Sequence, residues 1–426
     1  MTPTELRLKI DSLAYGPYGI GRKEGKVIMV PLTAPGDEGE VRIVQEKGNY
    51  AIGELLHLVK PSPLRQPPPC PYFGKCGGCS WQQIQYNGQL AAKEKNILDA
   101  LRRIGKLAGF EMLPTLRSTQ EYHYRRRIRL QVNRDKKVGF YRTFSHELIE
   151  INSCLIAAPG VDRCLSQARE WIHELKTPLR QMEIIEGDIE GQILLTGKAV
   201  GQLNLEDIPT SAGFLDGHKQ ISGLILFGRD WHRSWGQGTI SIRSGDGNWM
   251  EMDGDVFTQV NRDGNHALLR NLLEWGEFHE QDRVLELYCG AGNFTLPVAC
   301  RAGEVMAVER NSRPIESVKR MSRLNRMKNI RWIRAHVPHA VKQLRRNSDR
   351  FSKILLDPPR SGAKELEEDL APLGAEKVLY ISCNPATLAR DLAAWTRKGY
   401  KLTRIRPIDL FPQTYHVEAL AEMVRE

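Results

Sequence analysis

Cysteine is scarce in this chain, at eight in 426 residues. That is far too few for a disulfide framework, so any clustered cysteines point to metal binding or catalysis. A run of about 18 apolar residues, as a membrane-spanning helix requires, is absent. The start, Met1-Thr-Pro-Thr-Glu5, lacks the charged-then-apolar order of a secretory signal, and a cytoplasmic protein is expected. Internal repeats are also missing, and the one low-complexity tract is a proline-rich stretch. With 41% hydrophobic and 26% charged residues, wholesale disorder is excluded. The length suggests about three domains at roughly 150 residues each.

What the chain does have is positive charge, unevenly placed. Lys and Arg number 61 against 51 Asp and Glu, a net of +10. Residues 1–60 hold eight basic and eight acidic side chains, residues 61–143 hold sixteen and five, and the remainder holds 37 and 38. A block of one sign this concentrated fits a polyanion-binding face, nucleic acid first; a solvated surface is the alternative.

Residues 6–59 alternate polar and apolar positions in short runs (Leu6–Ile10, Lys26–Pro31, Gly39–Val44, Tyr50–Leu56) broken by Gly, Pro and Asp. That rhythm predicts a small antiparallel, OB-like β-barrel over residues 1–60. Five prolines within residues 61–69 exclude helix or central strand and mark a semi-rigid linker. A central mixed α+β domain over 61–250 is expected to follow, with a helix from Asn87 to Leu107 and strands at Arg127–Val132 and Val138–Tyr141. From about residue 282, apolar runs (Val284–Tyr288, Glu304–Val308, Ile330–Ile333, Lys353–Leu356, Lys377–Ile381) alternate with helical patterns at 293–301, 313–326 and 385–397. This predicts a doubly wound parallel sheet, an α/β Rossmann-like domain over 251–426.

Cys70, Cys76 and Cys79 place three thiols within ten residues, and Gly77 and Gly78 let the backbone wrap close to sulfur. A fourth ligand is wanted. Cys154 follows a strand-like run and is the first candidate, with Cys164, on a predicted helix, in reserve. A compact trio plus one distant cysteine suits a 4Fe-4S cluster, whereas zinc prefers paired C-x2–4-C knuckles; zinc and unligated structural cysteines are the alternatives. The expected role is to pin the domain, since no flavin or nicotinamide site accompanies it.

The run Val284–Tyr288 leads into a glycine-bearing turn, Cys289–Asn293, ahead of a helical pattern. Alone such a turn could serve any nucleotide or simply start a helix. Nineteen residues past Gly290 the next strand ends in Glu309, where a carboxylate can accept both ribose hydroxyls of an adenosine. The turn lacks a full dinucleotide pattern and a phosphate-binding Lys-Ser/Thr, so a cofactor without phosphates, S-adenosylmethionine, is expected. Asp357 emerges at the carboxyl end of the fourth strand, followed by Pro358, Pro359 and Arg360. Amino-methyltransferases usually place an aromatic residue after such prolines, and Arg360 argues against methylation of an exocyclic nitrogen.

The fifth strand ends at Ser382-Cys383, just ahead of a helix whose dipole is expected to lower the thiol pKa. A lone buried cysteine is more often packing. Context shifts the weighing. Carbon 5 of a pyrimidine attacks a sulfonium methyl only after a thiolate has added to carbon 6, and a base must then remove the carbon 5 proton. Glu418, opening the final strand, is the candidate base, with His416 competing.

In this order, and over nearly the whole chain, these motifs resemble the bacterial RNA 5-methyluridine (uracil-C5) methyltransferases. The resemblance implies an N-terminal TRAM RNA-binding barrel and a 4Fe-4S cluster on Cys70, Cys76, Cys79 and Cys154. It implies Cys383 as nucleophile and Glu418 as base, with Gln259, Tyr288, Gly290, Asn293, Glu309 and Asp357 around S-adenosylmethionine. It also implies that residues 87–113 pack on the catalytic domain. Family members often carry Phe at position 288 and Asp or Asn near His336, so His336 is left out of the cofactor set. The barrel loop Tyr15–Gly19 lacks the usual adjacent glycines. Methylation of cytosine at carbon 5 and a non-catalytic RNA-binding or chaperone role are the competing readings.

Arg125, Arg126, Arg127 and Arg129 are interleaved with Tyr122 and Tyr124, a pairing suited to phosphates and an extruded base. Strand alternation would send half of the arginines to RNA and half to carboxylates. The target uridine must leave its stack, which costs least in a loop or bulge. A second basic run, Arg310–Arg334, reads equally as a solvated face or a contact. The barrel favours ribosomal over transfer RNA, and a monomer is expected.

Overall fold

The computed structural model describes residues 4–426 except 245, 246, 248 and 365. Strands Glu5–Leu13, Tyr18–Lys23, Lys26–Pro31, Glu38–Glu46 and Tyr50–Lys60 close into a barrel around Leu8, Ile10, Ile28, Val30, Val41 and Ala51. The closure differs from the wholly antiparallel barrel that the sequence suggests, because Val27–Met29 runs parallel to Tyr50–Ile52. Five strands are an odd number, and a ring of odd number cannot alternate direction without one parallel contact. Tyr18–Lys23 is a strand where its glycines suggest a turn. Gly21 is needed there, since a Cβ would stand 2.4 Å from the Lys9 carbonyl oxygen of the neighbouring strand.

The central sheet has seven strands in the order His232–Gly236, Gly223–Phe227, Ile193–Ala199, Leu179–Glu186, Arg127–Val132, Val138–Tyr141 and Leu148–Glu150. Helices Leu165–Glu174 and Asp207–Gly217 contribute to its core, in which Trp171, Phe214 and Ile184 are buried. The helix Tyr86–Arg103 precedes this sheet in sequence but belongs elsewhere in space. Its Ile97 and Leu101 lie in the C-terminal core with Leu388 and Trp395, and Glu111–Met112 then adds a parallel edge to the C-terminal sheet.

That sheet runs Ile330–Arg334, Glu304–Glu309, Arg283–Leu287, Lys353–Leu356, Lys377–Ser382, Glu418–Arg425, Tyr400–Ile408 and Glu111–Met112. The first five strands are parallel and coincide with the five apolar runs. Glu418–Arg425 is antiparallel to both neighbours. Parallel strands bring their carboxyl ends to one rim, where open α/β sheets bind ligands.

Residues 409–416 join three parts of the molecule. Lys93 and Asp409 are both fully buried, and Lys93 Nζ donates to Asp409 Oδ1 at 2.6 Å and to the Phe411 carbonyl at 3.0 Å. Gln89 Nε2 donates to Gln413 Oε1 at 2.9 Å, and Tyr124 Oη donates to the Pro412 carbonyl at 3.1 Å. Burial pushes the Lys93 ammonium below its usual pKa, and Asp409 opposes that shift. Removing one member of such a pair strands a buried charge. Lys93→Met should therefore cost about 3–5 kcal/mol in urea unfolding, and Lys93→Met with Asp409→Asn should recover a large part of it. A double variant as unstable as the sum of the two singles would show that the pair is not coupled.

Candidate active site

A cleft of about 1040 Å³ opens at the carboxyl rim of the C-terminal sheet, facing the arginine-bearing strand of the central sheet. Gln259, Tyr288, Gly290, Asn293, Glu309, Asp357, Cys383 and Glu418 all line it, together with Arg125, Arg129, Arg360 and His416.

At one end, Tyr288 adopts a left-handed backbone with φ 65°, uncommon for a residue other than glycine, and Gly290 and Gly292 follow at 53° and 82°. A Cβ on Gly292 would stand 2.2 Å from Val318, so this glycine lets the turn pack on helix Ser312–Leu324. A Cβ on Gly290 would meet nothing within 4 Å, which leaves the turn open on the cleft side. The Glu309 carboxylate accepts from Gly290 N at 3.3 Å and Asn311 N at 2.8 Å. An acidic strand end beside an open glycine turn fits a nucleoside. Asn293 exchanges amide hydrogen bonds with Asn265 at 2.8 and 2.9 Å, so its side chain is engaged by the protein itself.

At the other end, register alone gathers three groups. Ser382 pairs with Ala419, which sets Cys383 level with Glu418, and Leu356 pairs with Tyr380, which ends the neighbouring strand at Asp357 on the same rim, level with Ile381. The expectation that a helix dipole lowers the thiol pKa is not met. Asn384 Oδ1 takes the first amides of helix Pro385–Thr396, accepting from Ala386 N at 3.0 Å and Thr387 N at 3.5 Å. Cys383 is instead pushed up to about 11, first by burial and then by the Glu418 carboxylate, with Arg360 opposing. Burial raises Asp357 to about 7. Burial also raises Glu418 well above the usual carboxylate range, with Asp357 adding to the shift and Arg360 countering it. His416 has its Nε2 3.4 Å from Arg360 Nη2 and its buried Nδ1 unpartnered among the described residues. Burial, then Arg360, depresses it to about 3, so it is neutral near pH 7.

The arginines divide, though not by simple alternation. Arg126 is buried against Asp188 at 3.1 Å and Arg127 against Glu183. Arg129 shares Glu183 yet stays exposed, because residues two apart in a strand face the same way. Arg125 Nε donates to the Arg127 carbonyl at 3.2 Å, and no carboxylate pairs with Arg125 among the described residues. In the second basic run, Arg313, Arg320 and Arg331 pair with Asp255, Asp253 and Glu304, while Arg310 lines the cleft.

Cys70, Cys76, Cys79 and Cys154 line a separate cavity of about 100 Å³, whose wall shares Arg125 and Arg129 with the cleft. Burial raises the thiols of Cys76 to about 11 and Cys79 to about 12, and Cys154 and Cys70 add to both shifts. Gly78 N donates to Cys76 Sγ at 3.4 Å, and a Cβ on Gly77 would stand 2.8 Å from the Tyr141 carbonyl oxygen. Cys164, the reserve ligand, lies in the core of the central sheet instead. Among the described residues, no three His, Cys, Asp or Glu side chains are grouped to hold a metal ion.

Two neighbours of Cys383 escape sequence reasoning. Arg360 reads there only as a departure from a motif, and Tyr15 carries no signal. Yet the Tyr15 hydroxyl donates to the Cys383 carbonyl across 368 residues of chain.

Residues 239–425 match the family model "tRNA (Uracil-5-)-methyltransferase", and residues 1–56 match the TRAM domain. The chain is 31% identical to "23S rRNA (uracil(1939)-C(5))-methyltransferase RlmD" of Vibrio parahaemolyticus over 97% of this chain and 94% of that protein. It is 34% identical to an "Uncharacterized RNA methyltransferase" of Thermosynechococcus vestitus, covering 98% and 97%. Among solved structures, it is similar to Pyrococcus abyssi tRNA (uracil-54, C5)-methyltransferase in complex with S-adenosyl-L-homocysteine. That likeness has a TM-score of 0.75 and 25% identity, and covers 98% of this chain and 100% of the other. With the rim geometry and near-complete coverage in agreement, the chain belongs to the RNA uracil-C5 methyltransferase family and carries an N-terminal TRAM domain.

Proposed function

We propose that the protein methylates carbon 5 of a uridine in structured RNA, 23S-type ribosomal RNA, through a covalent bond between Cys383 and carbon 6. The observation that carries this reading is the convergence of Asp357, Cys383 and Glu418 on one rim, in the same cleft as Glu309 and the open glycine turn. S-adenosylmethionine, when bound, supplies an electrophilic methyl group, and Glu309, Gly290 and Asp357 are the residues that would hold it. Cys383 adds to carbon 6 and makes carbon 5 nucleophilic. Once carbon 5 carries the methyl group, Glu418 removes its proton, and the electron pair left behind expels the thiolate from carbon 6. A carboxylate whose pKa is raised by burial is a stronger base than an ordinary one, whereas a histidine depressed to about 3 is a weak base, which favours Glu418 over His416.

The 23S-type target is supported by relatives at 31–33% identity that bear that name. A transfer RNA target is the second reading, favoured by the name of the Pyrococcus enzyme. Arg125 and Arg129 are the arginines of the strand segment least buried, and the exposed face of Arg129 suits phosphate. The reading includes a 4Fe-4S cluster on Cys70, Cys76, Cys79 and Cys154, supported by all four cysteines lining one cavity and by a compact trio with one distant cysteine, where zinc favours paired knuckles. Held there, the cluster stiffens the wall that carries both arginines. A cytoplasmic monomer completes this reading.

Cys383→Ala should abolish methylation, and Glu418→Gln should accumulate a protein–RNA adduct on denaturing gels; free methylated product from the latter would remove Glu418 as base. With the thiol near 11, thiolate and hence adduct formation should rise roughly tenfold per pH unit between pH 7 and 9. Arg360→Met should slow adduct formation at every pH, because a cation that lowers the thiol pKa is gone; a flat profile would mean that the thiolate is already formed. Anaerobically purified protein should absorb in the visible and contain iron, lost in Cys154→Ser but kept in Cys164→Ser. Colourless protein with stoichiometric zinc would overturn the cluster.

A further inference from the structure

The carbonyl of Cys383 stands between a strand that ends at Ser382 and a helix that begins at Pro385. Proline has no N–H to offer. The amides of Ala386 and Thr387 go to Asn384 Oδ1, and that of Leu388 goes to the Asn384 carbonyl. The next residues of the loop thus have no amide to spare for the Cys383 carbonyl, and the donor comes from the barrel: the Tyr15 hydroxyl.

Tyr15 is itself well held. Its ring stands edge-on to Tyr415 with centroids 5.5 Å apart, and it packs against the C-terminal core. Two residues earlier, Leu13 shares a small core with Ala34, Trp81, Ile84 and Ala92, and three residues later Tyr18 stacks on Phe144 of the central domain at 5.4 Å. Burial, and next the proximity of Cys383, raises the Tyr15 hydroxyl above its usual pKa, so it keeps its proton and stays a donor. The rest of the loop is tied locally, by Asn384 N to Ser382 Oγ at 3.2 Å and Asn384 Nδ2 to the Arg360 carbonyl at 3.3 Å. The peptide that follows the thiol-bearing carbon is the one held from another domain.

We infer that Tyr15 is a positioning residue for Cys383: its hydroxyl fixes the peptide plane from which the thiol is aimed, so the barrel forms part of the reaction centre as well as a handle on RNA. This rests on Cys383 being the nucleophile. A free carbonyl there could turn about the adjoining bonds and carry Sγ away from carbon 6.

The test uses the full-length protein, its Tyr15→Phe and Tyr15→Ala variants, and 23S rRNA transcribed with 5-fluorouridine, whose fluorine the base cannot remove, so that the adduct accumulates. Tyr15→Phe should slow adduct formation and kcat about tenfold, equivalent to about 1.4 kcal/mol, with KM for RNA and the thermal midpoint unchanged. Tyr15→Ala should be slower still. A Tyr15→Phe rate equal to wild type would overturn the inference, as would a raised KM at constant kcat, which marks an RNA contact, or a midpoint that falls along with kcat. Wild-type protein that forms no adduct would bring down the Cys383 reading and this inference with it, whereas a normal wild type beside a normal Tyr15→Phe removes Tyr15 alone.

Discussion

Lys93 and Asp409 are both withdrawn completely from water, and the arrangement of the active site depends on their pairing. Two such charges are tolerable only when each satisfies the other, and here the ammonium also reaches the Phe411 carbonyl. The helix that carries Lys93 is spliced between barrel and central sheet, while Asp409 opens the segment that leads through His416 to Glu418. The pair therefore anchors the approach to strand Glu418–Arg425. Gln89 and Tyr124 add hydrogen bonds to the same segment, from the inserted helix and from the arginine-bearing region.

Within the cleft, burial dominates the electrostatics. Burial raises Asp357, Glu418 and Cys383 alike; Asp357 adds to the rise at Glu418, both carboxylates add to it at Cys383, and Arg360 counters it at Cys383 and Glu418. The result is a thiol that ionises reluctantly beside a carboxylate of raised pKa. A cleft wall built from Arg125 and Arg129 backs directly on the four-cysteine cavity.

Four of the five parallel strands were legible because they are buried on both faces and read as apolar runs, while Ile330–Arg334, at the sheet edge, is only partly buried. The barrel was legible from alternation, except for Tyr18–Lys23, whose glycines serve close strand packing rather than a turn. Helix Arg262–Gly276 and strand Tyr400–Ile408 went unread. The eight catalytic and cofactor candidates were legible because strand ends in a parallel sheet share a rim, so their order along the chain implies their meeting in space. Asn293 was legible as a site residue but not as a partner of Asn265.

The sequence by itself determined the chemistry on offer: a thiol and a carboxylate at strand ends, an acidic residue after a glycine turn, a cysteine trio, and a basic block. These are local facts, set by residue type and by periods of two and 3.6 residues. The tertiary structure decided what each group is like once placed. It directed the first helix amides to Asn384 and left the thiol raised, set Cys154 in one cavity with the cysteine trio and Cys164 in the central core, let Arg127 and Arg129 share one carboxylate, and brought Tyr15 to Cys383. Burial, mutual charge and contacts between residues hundreds of positions apart have no period in the chain, and they exist only after it has folded.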